Sequence, residues 1–224
     1  MITLDVGEKI VGGSEVIPNS IPWQVALLLR DPPPTPTTII HCGGTLISPR
    51  HVLTAAHCFH KLTGEMLELG DFYVMVGEHT LSDPFDGTPH EVCRQVKHPE
   101  FNLKTYSNDF AILHLRNDVP LGPRAIPACL PPSSFGKDFL SGKAMTVSGW
   151  GKLGSKESVS DVLISVDVDG IPNSKCTDLG SEGNLGEVDG SNLKFEDNML
   201  CAGNLDVGGV DSCQGDSGGM RNTI

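Results

Sequence analysis

Short apolar runs recur along the chain, and turn residues separate them. The runs are Trp23 to Leu29, Gly44 to Ile47, Phe72 to Val76, Phe110 to Leu115, Met145 to Trp150 and Val162 to Val168. This spacing predicts an antiparallel β-sandwich or barrel in preference to a parallel α/β sheet. Pro120, Pro123, Pro127, Pro131 and Pro132 divide the chain near its middle and read as a linker between two β-barrels. A second proline cluster, Pro32 to Pro36, reads as a surface loop inserted before His41 and Cys42.

Composition agrees with that picture. The 224 residues allow one large all-β domain or two small ones with a real core. Hydrophobic residues make up 38%, with 26 glycines and 16 prolines, which suits strands and turns more than helices. The formal net charge of −12 argues against nucleic-acid binding, which needs a basic face, and implies a solvated acidic surface. No run approaches the roughly 18 apolar residues of a membrane span. The leader Met1 to Lys9 is too short and too polar for a signal peptide, so the N-terminus is expected to be incomplete.

Seven cysteines stand at 42, 58, 93, 129, 176, 201 and 213. They lack the short C-x-x-C pairs of zinc sites, so disulfides formed in an oxidising compartment are the better reading. An odd count leaves at least one thiol without an intramolecular partner.

Four segments carry the candidate chemistry. They are Lys9-Ile10-Val11-Gly12-Gly13, Leu53-Thr54-Ala55-Ala56-His57-Cys58, Asn108-Asp109-Phe110-Ala111-Ile112-Leu113, and Asp211-Ser212-Cys213-Gln214-Gly215-Asp216-Ser217-Gly218-Gly219. A lone histidine, aspartate or serine is usually an ordinary surface, cap or turn residue. Together, in the order His, Asp, Ser, these segments resemble the chymotrypsin/trypsin family of serine endopeptidases, from Ile10 to Gly219. Pro22-Trp23-Gln24-Val25, Cys42-Gly43-Gly44 and Gly149-Trp150-Gly151 add to the resemblance.

The resemblance implies an all-β fold of two antiparallel Greek-key barrels, the second incomplete. It implies a propeptide remnant over 1–9 and a peptidase domain over 10–224. The first barrel would run to about 118, the linker over about 119–134 and the partial second barrel over about 135–224. His57, Asp109 and Ser217 would form the catalytic triad, with the backbone N–H groups of Gly215 and Ser217 as the oxyanion hole. Asp211 would sit at the base of the specificity pocket and favour cleavage after Arg or Lys, since a buried carboxylate needs a cationic partner. Cleavage after Lys9 would free the Ile10 ammonium to pair with Asp216, so the chain is expected to be a zymogen.

By the same resemblance, Cys42 pairs with Cys58 and Cys176 with Cys201. Cys213 would pair with a cysteine beyond Ser217, and Cys129 either with Cys93 or with a segment upstream. The reaction itself needs no cofactor or metal. The stretch from Glu78 to Glu91, with Asp83 and Asp86 between, resembles the family's calcium loop. The acidic stretch between Cys176 and Cys201 reads as a surface loop beside the substrate cleft.

After Gly219 the chain departs from the family pattern and ends at Ile224. The missing strands would include one pocket wall, so the chain as written is expected to fold poorly and to turn over little substrate. The resemblance implies a secreted, extracellular monomer. Its partners would be protein substrates cut after Arg or Lys, an activating protease and protein inhibitors. A non-catalytic homologue that acts by binding, and an acidic module that binds calcium or a basic partner, are the alternatives.

Overall fold

The computed structural model of the chain describes residues 13–30, 39–60, 65–136, 139–152, 158–181, 196, 198–203, 217 and 221–223. Eight strands come first: β1 (Ser14–Glu15), β2 (Gln24–Leu29), β3 (Ile39–Ser48), β4 (His51–Thr54), β5 (Phe72–Val76), β6 (Thr88–His90), β7 (Val92–Lys97) and β8 (Ala111–Leu115). Then follow β9 (Ala144–Gly149), β10 (Ile164–Ile171), the helix α1 (Asn173–Ser181), β11 (Cys201–Gly203) and β12 (Arg221–Thr223). They form two antiparallel sheets, ordered β6-β5-β2-β3-β4-β8-β7 and β1-β10-β9-β12, with β11 also paired to β10. The first sheet curls around its own core, and the arrangement is that of the two-barrel, all-β fold expected from the resemblance.

The run from Trp23 to Leu29 explains how the halves join. A strand alternates its side chains between two faces. Val25 and Leu27 of β2 enter the core of the first sheet, beside Phe72, Val74, Leu113 and Phe59. Ala26 and Leu28 point the other way and pack with Ile40, Trp150 and Leu163, against the second sheet. Both faces of β2 are therefore buried, and its sequence is apolar without alternation. Two polar groups in this seam pair across it: Ser148 Oγ donates to Gln24 Oε1 at 2.9 Å, and Trp150 Nε1 donates to the His79 carbonyl at 2.9 Å. At Gly44 of β3, a Cβ would lie 2.9 Å from Val52 Cγ1 and 3.0 Å from Val25 Cγ2, so glycine permits the close β2-β3-β4 packing.

The second sheet has a smaller core, built from Met145 and Val147 of β9, Ile164, Val166 and Val168 of β10, and Ala202 of β11. Residues beyond Gly219 extend this sheet, because β12 pairs antiparallel with β9, Arg221 opposite Val147 and Thr223 opposite Met145.

The turn after β5 ties the seam to an acidic loop. Asp86 accepts the backbone N–H groups of His79 and Thr80 at 2.9 and 2.8 Å, and the Arg124 guanidinium bonds its other oxygen. Glu78 is buried at 7% exposure, and its Oε1 finds no hydrogen-bond partner among the described residues. Burial first, and then the neighbouring charge of Asp86, push the Glu78 carboxyl up to about 7, against the opposing pull of Arg124. An acid whose pKa is raised on folding holds its proton more tightly in the folded state. Its stabilising contribution is present below the ordinary value of 4.5 and is lost as pH rises towards 7. In calcium-free buffer, urea denaturation of Glu78→Gln should show a smaller loss of stability than the parent across that window. The variant should be the more stable of the two at pH 8, by ~1–3 kcal/mol. A pH dependence identical to the parent's would contradict this account.

Candidate active site

The site is assembled where β4 runs out. After Thr54 the chain makes a single 3-10 turn, His57–Phe59. Phe59 and Cys58 are fully buried in the first core, and Cys58 is bridged to Cys42 of β3. Thr54 Oγ1 donates to the Gly43 carbonyl at 2.8 Å, which holds the strand leading into the turn. His57 is left on the open side of this anchored turn with 26% of its side chain exposed. A second histidine braces the same turn, since His41 Nε2 lies 2.6 Å from the Cys58 carbonyl. A carbonyl can only accept, so His41 carries its proton on Nε2. Burial lowers its pKa, and the charge of His57 acts in the same direction.

Asp109 comes from the loop between β7 and β8. Its Oδ1 accepts the His57 backbone N–H at 2.8 Å and its Oδ2 accepts His57 Nδ1–H at 2.6 Å. The bond at Nδ1 fixes the tautomer and leaves Nε2 with a lone pair. The carboxylate side chain is only 5% exposed. Burial acts to raise its pKa, but the two hydrogen bonds from His57, and its charge when the ring is protonated, outweigh that, and the carboxyl sits below its ordinary value. Its stabilising effect is therefore present above the ordinary carboxylate range and is lost as acid protonates it.

Ser217 reaches the same place from the second half of the chain. Its carbonyl accepts the Gly43 N–H at 2.7 Å. Cys58 Sγ lies 3.7 Å from that carbonyl oxygen and 4.0 Å from His57 Nε2. The sulfur is in a disulfide and has no proton to give, so these are packing contacts. They put His57 Nε2 and Ser217 around one sulfur atom. Cys42, Cys58 and His57 also have the spacing of a metal cluster, but disulfide sulfurs are not thiolate ligands, so no metal is assigned there.

The structure thus brings together His57, Asp109 and Ser217, and forms both expected bridges, Cys42–Cys58 and Cys176–Cys201. Cys93 and Cys129 are free and exposed, so the Cys93–Cys129 alternative is not formed. Lys9, Ile10, Asp211, Cys213, Gly215 and Asp216 lie outside the described residues, as does the stretch 182–195 of the acidic loop. The two acids named for a calcium loop are apart, at opposite ends of β6. Glu91 pairs with Arg116 at 3.0 Å and Arg30 at 3.7 Å, while Glu78 adjoins Asp86.

Two neighbours of the site escaped the sequence reading. The Tyr106 ring meets the His57 ring edge-on, with centroids 5.5 Å apart, and His41 supports the His57 turn from beneath. The available signals were positional: Tyr106 is three residues before Asp109, and His41 adjoins Cys42.

Comparison with known proteins agrees with the geometry. The family model described as Trypsin matches residues 10–220, and the chain belongs to the trypsin family of serine proteases. It is 35% identical over 217 residues to the venom serine protease Bi-VSP of Bombus ignitus, covering 94% of this chain and 56% of that protein. It is 34% identical over 215 residues to the proclotting enzyme of Tachypleus tridentatus, covering 94% and 54%. It is 30% identical over 231 residues to melanization protease 1 of Drosophila melanogaster, covering 95% and 54%. The chain spans about half the length of these relatives. Among the described residues, no helix is long and apolar enough to cross a membrane.

Proposed function

We propose that this chain is a secreted serine endopeptidase that cuts after Arg or Lys, made as a zymogen and activated by cleavage after Lys9. The observation that carries the reading is the two-point bond from Asp109 to His57, with Ser217 held across the Cys42–Cys58 bridge from the imidazole. A serine hydroxyl is a weak nucleophile at neutral pH and needs a base at hand. His57 Nε2 takes the Ser217 Oγ proton as Oγ bonds to the scissile carbonyl carbon. The C–N bond then breaks, the same proton goes to the leaving amine, and an acyl ester remains on Ser217. Water, deprotonated by His57, cleaves that ester and returns the enzyme. Asp109 holds the ring in the required tautomer and stabilises the imidazolium formed in each half-reaction.

The other roles are carried over by motif. The N–H groups of Gly215 and Ser217 receive the oxyanion, and Asp211 receives the cationic side chain of the substrate. The Ile10 ammonium pairs with Asp216 once Lys9 has been removed. Substrates are proteins or peptides, and an activating protease and protein inhibitors are the expected partners of a monomeric enzyme.

The full chain, cut after Lys9 by a protease of tryptic specificity, should react with a fluorophosphonate at Ser217 and hydrolyse arginyl esters, at the low rate that the departure from the family pattern after Gly219 implies. Ser217→Ala should abolish both, and Asp211→Ser should shift preference away from Arg and Lys by at least tenfold. A cut chain that neither labels nor turns over any ester would favour a binding role instead.

A calcium ion is proposed only for the acidic loop. Glu78 offers a buried oxygen that has no partner among the described residues, and Asp86 is the acid beside it. An ion there would raise the melting temperature as CaCl2 is added at pH 8. An unchanged melting temperature would leave Arg124 as the cation of this loop.

A further inference from the structure

We infer that Asn198 is a positioning residue for Asp109, acting from the second half of the chain through a hydrogen-bonded clamp on Ser107 and Asn108; the inference rests on the peptidase reading above. The loop that presents Asp109 is bent against its own preferences. Tyr106 and Asn108 both have φ of +54°, the left-handed region that residues with a Cβ seldom occupy and that asparagine tolerates better than tyrosine. The Phe110 N–H then reaches back to the Asn108 carbonyl at 2.8 Å, so Asp109 is the middle residue of a three-residue turn. Such a backbone persists only where its surroundings over-determine it.

Within its own segment the loop is tied by Asn102 N–H to the Ser107 carbonyl at 3.0 Å and by Lys104 N–H to Asn102 Oδ1 at 2.9 Å. A further tie comes from outside. Asn198 Nδ2 lies 2.9 Å from Ser107 Oγ and 2.9 Å from Asn108 Oδ1, so one amide group spans the two residues that precede the aspartate. The direction of these bonds is fixed by chemistry. Asn108 Nδ2 donates to the Glu100 carbonyl at 3.2 Å, which can only accept, so the Asn108 oxygen faces Asn198 and requires a donor there.

Asn198 is itself well placed to act as an anchor. The Met199 N–H closes a turn on the Glu196 carbonyl at 3.0 Å, and Met199 is buried. Three residues after Asn198, Cys201 is bridged to Cys176 and begins β11. The clamp therefore links a disulfide-held segment of the second half to the backbone that aims the Asp109 carboxylate at His57. Ser107 is 8% exposed, so the bond to it is partly sheltered from water, while the bond to Asn108 is exposed.

The test compares the parent, Asn198→Asp and Ser107→Ala as full chains cut after Lys9. Fluorophosphonate titration counts active sites, so that a misfolded fraction does not count as lost catalysis. Asn198→Asp keeps the shape of the side chain, removes both donors and turns an anion towards the Asn108 oxygen. Per titrated site, its kcat should fall roughly five- to thirtyfold, the effect of one or two ordinary hydrogen bonds, with KM for a small arginyl ester changed less than twofold. The acid limb of its kcat/KM profile should move to lower pH, because a less well aligned Asp109 stabilises the His57 imidazolium less. Ser107→Ala, which removes one acceptor and leaves Asn198 intact, should give a smaller change of the same kind. Parental kcat and an unmoved acid limb in Asn198→Asp, with the parent labelled normally, would overturn the inference and leave the peptidase reading standing. A parent that does not label at all would overturn both.

Discussion

The grip of Asp109 on His57 at two points is the constraint on which the rest of the site depends. One carboxylate holds the backbone N–H and the ring Nδ1–H of the same residue, at 2.8 and 2.6 Å. A single bond would leave the ring free to turn; two bonds fix the main chain and the ring together. Desolvating a carboxylate is costly unless the charge is compensated, and here the compensation comes from the residue it orients. The same bonds that hold the carboxyl ionised therefore determine which nitrogen of His57 carries the lone pair.

That grip requires the two segments to arrive already positioned. The His57 turn is fixed by a disulfide, by the buried Phe59 and by the His41 contact to the Cys58 carbonyl. The Asp109 loop extends from β8, which lies beside β4, with Thr54 opposite Ala111. Histidine and aspartate thus stand at the same end of two paired strands. Ser217 comes from another part of the chain, and among the described residues it is held by the Gly43 N–H and by packing on the bridge. The two-faced strand β2 makes this possible by burying one face in each half of the chain.

Much of this was legible in the sequence. The apolar runs marked β2, β5, β8, β9 and β10, and the triad candidates were identifiable because their motifs occur in order. Edge strands were not visible in this way. β6 reads Thr88-Pro89-His90, and β7 shows solvent the exposed Cys93, Arg94 and Val96, so neither forms an apolar run. β3 begins five residues before the Gly44 to Ile47 run, in His41, Cys42 and their neighbours. The helix α1 carries no strong apolar stripe; Cys176 fixes it instead, through the bridge to β11. His41, Tyr106 and Asn198 were missed for a common reason. Each acts through space on a residue distant in the chain or across a turn, and no local pattern records that.

The direct test of the account is proton NMR of the cut full chain across the pH range of imidazole titration. A hydrogen bond from His57 Nδ1 to an ionised carboxylate at 2.6 Å should hold that proton far downfield of the amide region, and its position should shift as His57 is protonated. Asp109→Ala should abolish the signal while the remaining spectrum stays folded. No downfield proton at any pH, or one that survives Asp109→Ala, would contradict the account.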